Sequence, residues 1–216
     1  MTTKKASQEN SFKDCTLKYL DDIFGLEEER TLPALEQWIA MPADISDIER
    51  HQLLHLKDVL DFNVHDWNEH ELDSHFIGPI FTMVNFSSSK YNHFAQRDLE
   101  GIVDGVRLFG KPDGMVASGR REPKKPFFAF QEYKRTLDPN GDPAGQALAA
   151  MLVGQSLDEQ PKPLYGCYVV GNNWRFMLLE GKQYAISRDY SAITDEIFDI
   201  YRILKALKQI VIALIK

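Results

Sequence analysis

One nine-residue run, PFFAFQEYK at positions 126–134, constrains the fold of this chain more than any other segment. It is aromatic and apolar until its polar end, and its length is typical of a β-strand. Side chains alternate along a strand, so Glu132 and Lys134 share one face while Gln131 and Tyr133 share the other. The run therefore predicts a strand that carries a carboxylate beside an ammonium group at its polar end.

Helical and strand patterns surround this run in a recognisable order. Helical spacing of apolar residues is found in the first 60 residues, over about 69–86, over 143–157 and along a long C-terminal segment. Pro79 falls inside the second of these and predicts a kink or a local loosening. Short strands are predicted around 94–99, 102–109 and 115–118, as a β-meander, and again at 164–170, 174–179 and 183–187.

This order favours an α/β (α+β) fold in which helices cover a mixed central sheet. Residues 1–65 are expected to form a helical N-terminal extension packed on the core, and residues 66–216 the main domain. Two cysteines without CxxC spacing exclude a disulfide framework and a zinc ribbon. The N-terminus lacks a signal-peptide pattern and no apolar stretch reaches the ~20 residues of a membrane span, so we expect a cytoplasmic protein without membrane contact.

Charge is unevenly distributed along the chain. The net charge is −7, which argues against general binding to nucleic acid. The segment 111–135 nevertheless holds seven basic and three acidic residues, a local balance of +4. Its basic residues are Lys111, Arg120, Arg121, Lys124, Lys125, Lys134 and Arg135. This segment fits contact with a polyanion, although a solvated charged loop is the commoner explanation of such a segment.

Four features around the central strand fall into a familiar pattern. Asp113 follows Pro112, Glu132-Tyr133-Lys134 ends the strand, Gln146 opens the next helix, and Glu71 lies on the preceding helix. In their order along the chain they resemble the PD-(D/E)XK nuclease superfamily, in particular the group related to the nuclease domain of type I restriction subunits. The resemblance covers roughly residues 66–190. It implies a restriction-endonuclease-like αβββαβ core.

The resemblance also implies an activity, which is metal-dependent hydrolysis of phosphodiester bonds in nucleic acid, with DNA as the expected polymer. Mg²⁺ or Mn²⁺ would be held by Asp113, Glu132, Glu71 and the backbone carbonyl of Tyr133, since hard cations prefer oxygen ligands. Lys134 would orient the attacking water, and Gln146 would position that water or a phosphate. The residues expected to contact nucleic acid are Lys111, Arg120, Arg121, Lys124, Lys125 and Arg135. The chain has no GxxxxGK[ST] motif, so translocation or sequence choice would need a separate motor or specificity subunit. The apolar stripe of the C-terminal helix leaves a homodimer open as well.

Each residue also has a structural alternative. Asp113-Gly114 is a common hairpin-turn dipeptide, and Glu71 could close a capping box with Asn68, leaving Glu69 or Asp73 for the site. Glu132 and Lys134 could form a simple ion pair, and Gln146 could only hydrogen-bond at the helix start. The protein would then be a catalytically inactive nuclease-fold module for interaction or nucleic-acid binding. The two possibilities differ in geometry, because a nuclease requires Asp113, Glu132 and Lys134 to converge.

Overall fold

The computed structural model describes residues 8–136, 141–158 and 162–215. Its helices are α1 (Leu17–Phe24), α2 (Pro33–Ala40), α3 (Asp47–Asn63), α4 (Glu69–Leu72), α5 (Gly78–Val84), α6 (Pro143–Leu157) and α7 (Glu196–Leu214). Its strands are β1 (Gln8–Ser11), β2 (Glu27–Glu28), β3 (Tyr91–Ala95), β4 (Leu99–Val103), β5 (Val106–Gly110), β6 (Gly114–Ser118), β7 (Lys124–Lys134), β8 (Leu164–Val170), β9 (Asn173–Glu180), β10 (Gln183–Ile186) and β11 (Tyr190–Ser191). None of these helices is both long and apolar enough to cross a membrane.

The strands form a large mixed sheet and a small one. The large sheet has the order β2-β10-β9-β8-β7-β6-β3, with β11 added beside β9. Strand β7 is antiparallel to β6 and parallel to β8, so the long aromatic strand lies inside the sheet. The small sheet has the order β1-β5-β4. The prediction of an α+β fold with a mixed sheet is confirmed.

Helices cover both faces of the large sheet and divide the core in two. On one face, α1 and α6 pack on residues such as Phe130 and Met177. On the other face, α2, α3, α5 and α7 pack on residues such as Phe128 and Phe176. The indole N–H of Trp38 donates a 2.9 Å hydrogen bond to the Ile203 carbonyl, which joins α2 to α7. The apolar content of β7 is therefore explained by burial on both faces.

The first half of β7 is irregular. Ser118 of β6 lies opposite Lys124, but Gly114 lies opposite Gln131, so β7 uses more residues than β6 over the same distance. One register shift falls between Lys124 and Phe127 and a second between Phe127 and Ala129. Beyond them the pairing is regular as far as Gly114, so the alternation of side chains predicted for the polar end of the strand holds.

The predicted β-meander is wrong in its pairing. Strand β3 pairs directly with β6, while β4 and β5 form a hairpin that pairs with β1 in the small sheet. Periodicity reports where a chain is extended but not which strand it meets, and the polar β1 (QENS) carries no strand pattern. The expectation of an all-helical N-terminal region is likewise incomplete, because β1 and β2 lie within it.

The predicted helix 69–86 is continuous but uneven. Between α4 and α5 lies a π-helical turn, Asp73–Ile77, in which the Gly78 N–H donates to the Asp73 carbonyl five residues earlier. Pro79 has no N–H and lies just after this turn, so the series of backbone hydrogen bonds along the helix is interrupted there. The prediction of local loosening near Pro79 is confirmed.

Candidate active site

A cleft of about 930 Å³ opens between the carboxyl end of β7 and the small sheet. Of the predicted catalytic residues, Asp113, Glu132, Lys134 and Gln146 line it. Its charged lining consists of the acidic Glu69, Asp98, Glu100, Asp113 and Glu132 and the basic Lys13, Arg107, Lys111 and Lys134. The cleft is thus rich in carboxylates with basic side chains among them.

Asp113 is fixed to the central strand. It directly precedes β6, and the backbone N–H of Tyr133 donates a 2.8 Å hydrogen bond to its Oδ2 atom. The following Gly114 pairs with Gln131 of β7 and has no room for a side chain, since a Cβ there would collide with Gln131 Oε1 and His93 Nε2. Close packing, and not a solvent-exposed hairpin turn, therefore explains the Asp-Gly dipeptide.

Glu132 and Lys134 form an ion pair inside the cleft. The Lys134 ammonium donates to Glu132 Oε1 at 3.1 Å and lies 3.6 Å from Glu69 Oε1. The side chains of Glu132 and Lys134 are 9% and 15% exposed. Asp113, Glu132 and Lys134 therefore converge at one end of the cleft, as a hydrolytic site would require.

The two carboxylates hold their protons more tightly than usual. Burial and then the charge of Asp113 raise the pKa of Glu132 to about 7. Burial also raises the pKa of Asp113, although the Tyr133 N–H and the Lys134 charge act in the other direction. Burial disfavours the charged form of Lys134, but Glu132 outweighs this and leaves the Lys134 pKa above its ordinary value. The site thus carries negative charge that Lys134 only partly offsets.

The preceding helix contributes Glu69 to the cleft, whereas Glu71 does not line it. Glu71 closes a capping box: its carboxylate accepts from the Asn68 N–H at 2.8 Å, and its own N–H donates to Asn68 Oδ1 at 3.0 Å. This is one of the alternatives that the sequence left open. Glu69, and not the predicted Glu71, is therefore the carboxylate of this helix turn that lines the cleft.

Gln146 is buried in the first turn of α6, and its position is set by Asp142. Asp142 accepts from the Gly145 N–H at 3.0 Å and from the Leu17 N–H at 2.8 Å, so it caps α6 and α1 together. A Cβ at Gly141 would lie 2.8 Å from Gln146 Nε2, which shows how closely the chain passes over the amide.

The small residues that follow on α6 serve packing. A Cβ at Gly154 would lie 2.6 Å from Cε2 of Phe130, so the space left by this glycine is filled by the aromatic ring of β7. The small residue on this face of α6 therefore lets the helix approach the sheet closely.

The donor set suits a hard divalent cation. In the described ranges, no three His, Cys, Asp or Glu side chains are grouped to hold a metal ion. Mg²⁺, however, is commonly held by one or two carboxylates with waters and phosphate oxygens completing its shell. The half-buried Asp113 and the buried Glu132, both with raised pKa values, supply such a pair of oxygen donors. Tyr133 and Glu69 lie beside Asp113 in an adjoining pocket of about 150 Å³.

The residues predicted to contact nucleic acid separate into two places. Lys111 lines the cleft, with its ammonium 3.5 Å from Asp98 Oδ1, and the exposed Arg135 follows β7 at the same end of the sheet. Arg120, Arg121 and Lys124, in contrast, border a separate surface pocket at the opposite end of β6 and β7, next to the exposed Lys125. The cations near the cleft and those in the loop after β6 therefore lie too far apart to bind the same phosphate group.

Sequence reasoning missed the small sheet as a wall of the cleft. Arg107 of β5 is held by Glu9 of β1 at 2.9 Å and Glu100 of β4 at 2.6 Å, and its guanidinium lies over the Phe109 ring. Arg107, Glu100 and Phe109 all line the cleft. The alternation of side chains in VRLFG is the only signal in the sequence. It predicts that β5 has two different faces, but it does not tell which part of the protein packs against each face.

The chain was compared with models of protein families and with curated proteins, and neither comparison found a match.

Proposed function

We propose that this protein is a metal-dependent nuclease of the PD-(D/E)XK type that hydrolyses phosphodiester bonds, with DNA as its expected substrate. The observation that carries the proposal is the convergence of Asp113, Glu132 and Lys134 in one cleft. Asp113 is tied to the Tyr133 backbone, and Lys134 is paired with Glu132. A pair formed only for folding would not need a second carboxylate beside it, and Asp113 supplies one whose pKa burial raises.

The topology around the cleft supports the same assignment. The helix 69–84 precedes β3, Asp113 precedes β6, β7 carries Glu132 and Lys134, and α6 leads to β8. In space these strands have the order β8-β7-β6-β3, with β7 and β8 parallel. We take this arrangement as a restriction-endonuclease-like αβββαβ core, into which the β4–β5 hairpin is inserted between β3 and β6.

Each residue has a chemical task in this proposal. Asp113 and Glu132 would hold Mg²⁺ or Mn²⁺ through carboxylate oxygens, together with the Tyr133 carbonyl. When bound, the metal supplies charge neutralisation and a lowered pKa for water. Lys134 stays protonated beside Glu132 and donates hydrogen bonds to the attacking water or a phosphate oxygen. Gln146 places a neutral amide at the same end of the cleft, where it can orient that water without adding charge.

A digestion assay tests the proposal. Supercoiled, linear and single-stranded DNA and RNA are each incubated with the protein in Mg²⁺, Mn²⁺ or EDTA, alongside Glu132→Ala and Lys134→Ala. Lys182→Ala is the matched control, since Lys182 pairs with Asp104 outside the cleft. We expect metal-dependent cleavage by the wild type and the control, and none by the two cleft variants. Cleavage that survives in both cleft variants would exclude this active site.

A further inference from the structure

We propose that the nucleic acid lies along the outer edge of strand β3, from the cleft to the loop 119–123 at the other end of β6. The proposal rests on the proposed function, because it takes the cleft as the place where the phosphodiester bond is cut. Nucleic acid is thereby assigned as the ligand of the exposed edge of β3. Four cations would share the role of holding its phosphate backbone: Lys90, Arg97, Arg120 and Arg121.

The pairing of β3 with β6 connects the cleft at one end of these strands to the loop 119–123 at the other end. Ala95 lies opposite Gly114 at the cleft end, and the Gln96 N–H donates to the Asp113 carbonyl at 3.1 Å. At the other end the Gly119 N–H donates to the Lys90 carbonyl, also at 3.1 Å. Within the described part of the chain, β3 is the last strand of the large sheet. Its outer edge therefore runs directly from Asp113 to the basic loop.

Charge along this edge suits a polyanion. Residues 74–97 contain no Asp or Glu, in a chain with 32 acidic residues among 216. Lys90 and Arg97 are exposed at the two ends of β3, and Arg120 and Arg121 are exposed in the loop. None of these four cations forms an ion pair with another described residue, whereas Arg107 and Lys134 in the cleft each do. Free cations at both ends of a strand that carries no acidic residue fit a phosphate backbone, although Glu122 lies in the loop and Asp73 lies near His93 of β3.

The length of β6 sets the spacing of the contacts. Gly114 and Ser118 are four residues apart in an extended strand, which is about 14 Å. Duplex DNA rises about 3.4 Å per base pair, so the loop meets the backbone about four to six base pairs from the reacting phosphate. A duplex too short to cover this distance cannot touch the cleft and the loop together.

Binding of a fluorescein-labelled duplex of 24 base pairs, measured by anisotropy in EDTA, tests this path without cleavage. The variant is Arg120→Ala/Arg121→Ala, and the control is Lys18→Ala/Arg30→Ala, which removes the same charge elsewhere. For the 24-mer we expect the loop variant to bind about tenfold more weakly, with a salt dependence reduced by about two phosphate contacts. A loop variant that binds the 24-mer as the control does, at every salt concentration, would overturn the path.

A cleavage assay with the 24-mer in Mn²⁺ tests the proposed nuclease activity separately from the proposed binding path. Cleavage that requires Glu132, with loop and control variants that bind alike, would refute the path and leave the nuclease assignment standing. A loop-dependent salt effect in a protein that cleaves nothing would support the path and remove the nuclease assignment.

Discussion

The backbone N–H of Tyr133 donates a hydrogen bond to Asp113 Oδ2 at 2.8 Å, so the carboxylate before β6 is fixed by the strand that carries Glu132 and Lys134. The bond joins residues 20 positions apart in the chain. It sets the side-chain position of Asp113 before any metal or substrate arrives. This matters for catalysis, because a small displacement of a ligand at a reactive centre can cost about 100-fold in rate.

Asp113→Ala should therefore abolish metal-dependent cleavage while the protein stays folded. We expect a loss of at least about 100-fold in kcat, because one of two carboxylate donors is removed. Steady-state cleavage of a labelled DNA, with circular dichroism as the folding control, measures this. An Asp113→Ala protein with wild-type kcat would show that the carboxylate has no part in the chemistry.

The same substitution at Glu69 and at Glu71 should affect different properties, the cleavage rate at Glu69 and the stability at Glu71. Glu69→Gln removes a charge from the cleft and should lower the cleavage rate at full stability. Glu71→Gln can still close the capping box at Asn68 but removes a negative charge from the first turn of α4, which should cost about 0.3–1 kcal/mol in the free energy of unfolding, with activity kept. Parallel urea denaturation and cleavage assays separate the two effects. If Glu71→Gln alone reduced the rate, the position predicted from the sequence would be the correct one.

Glu132→Gln should stabilise the protein at pH 8 and not at pH 5. The folded-state pKa of Glu132 is about 7, above its ordinary 4.5, so the wild type loses stability as the pH rises through this window. Removing the buried charge should recover about 1–2 kcal/mol of the free energy of unfolding at pH 8, because the charged carboxylate is the less stable form in the folded protein. Urea denaturation at both pH values measures the difference. A difference that does not change with pH would contradict the buried, charged carboxylate.

Metal binding should weaken below pH 7. The proton and the cation compete for the Glu132 carboxylate, whose pKa is about 7 in the metal-free protein. Between pH 8 and pH 6 the Kd for Mn²⁺ should rise about tenfold, with proton release seen by calorimetry in buffers of different ionisation enthalpy. Glu132→Gln should bind Mn²⁺ weakly at both pH values. Equal affinity of the wild type at both pH values would place the metal elsewhere.

Gly154→Ala should destabilise the fold although alanine favours helices. The added Cβ would lie 2.6 Å from Cε2 of the buried Phe130 ring, and overpacking of this kind costs about 1–3 kcal/mol. Thermal unfolding measures the change. Phe130→Leu in the Gly154→Ala background should recover part of the loss, since it removes the colliding ring atoms. No recovery would mean that the cost arises in the helix and not at its contact with β7.

The sequence by itself determined the local features. The aromatic run ending in Glu132-Tyr133-Lys134 predicted β7, the helical spacing over 143–157 predicted α6, and Pro79 predicted the disturbance before α5. These features follow from spacing and from the backbone limits of proline, which act over a few residues. The alternation that places Glu132 and Lys134 on one face is equally local, and their 3.1 Å ion pair agrees with it.

Only the tertiary structure decided which distant residues share the cleft. The sequence could not choose between Glu69 and Glu71, because both lie in the first turn of α4 and either could face the sheet. It could not reveal that β1 and the β4–β5 hairpin wall the cleft, nor that Arg120 and Lys111 lie at opposite ends of β6. Strand pairing across long stretches of chain is fixed by burial and hydrogen bonding of the whole molecule. No short window of sequence contains that information.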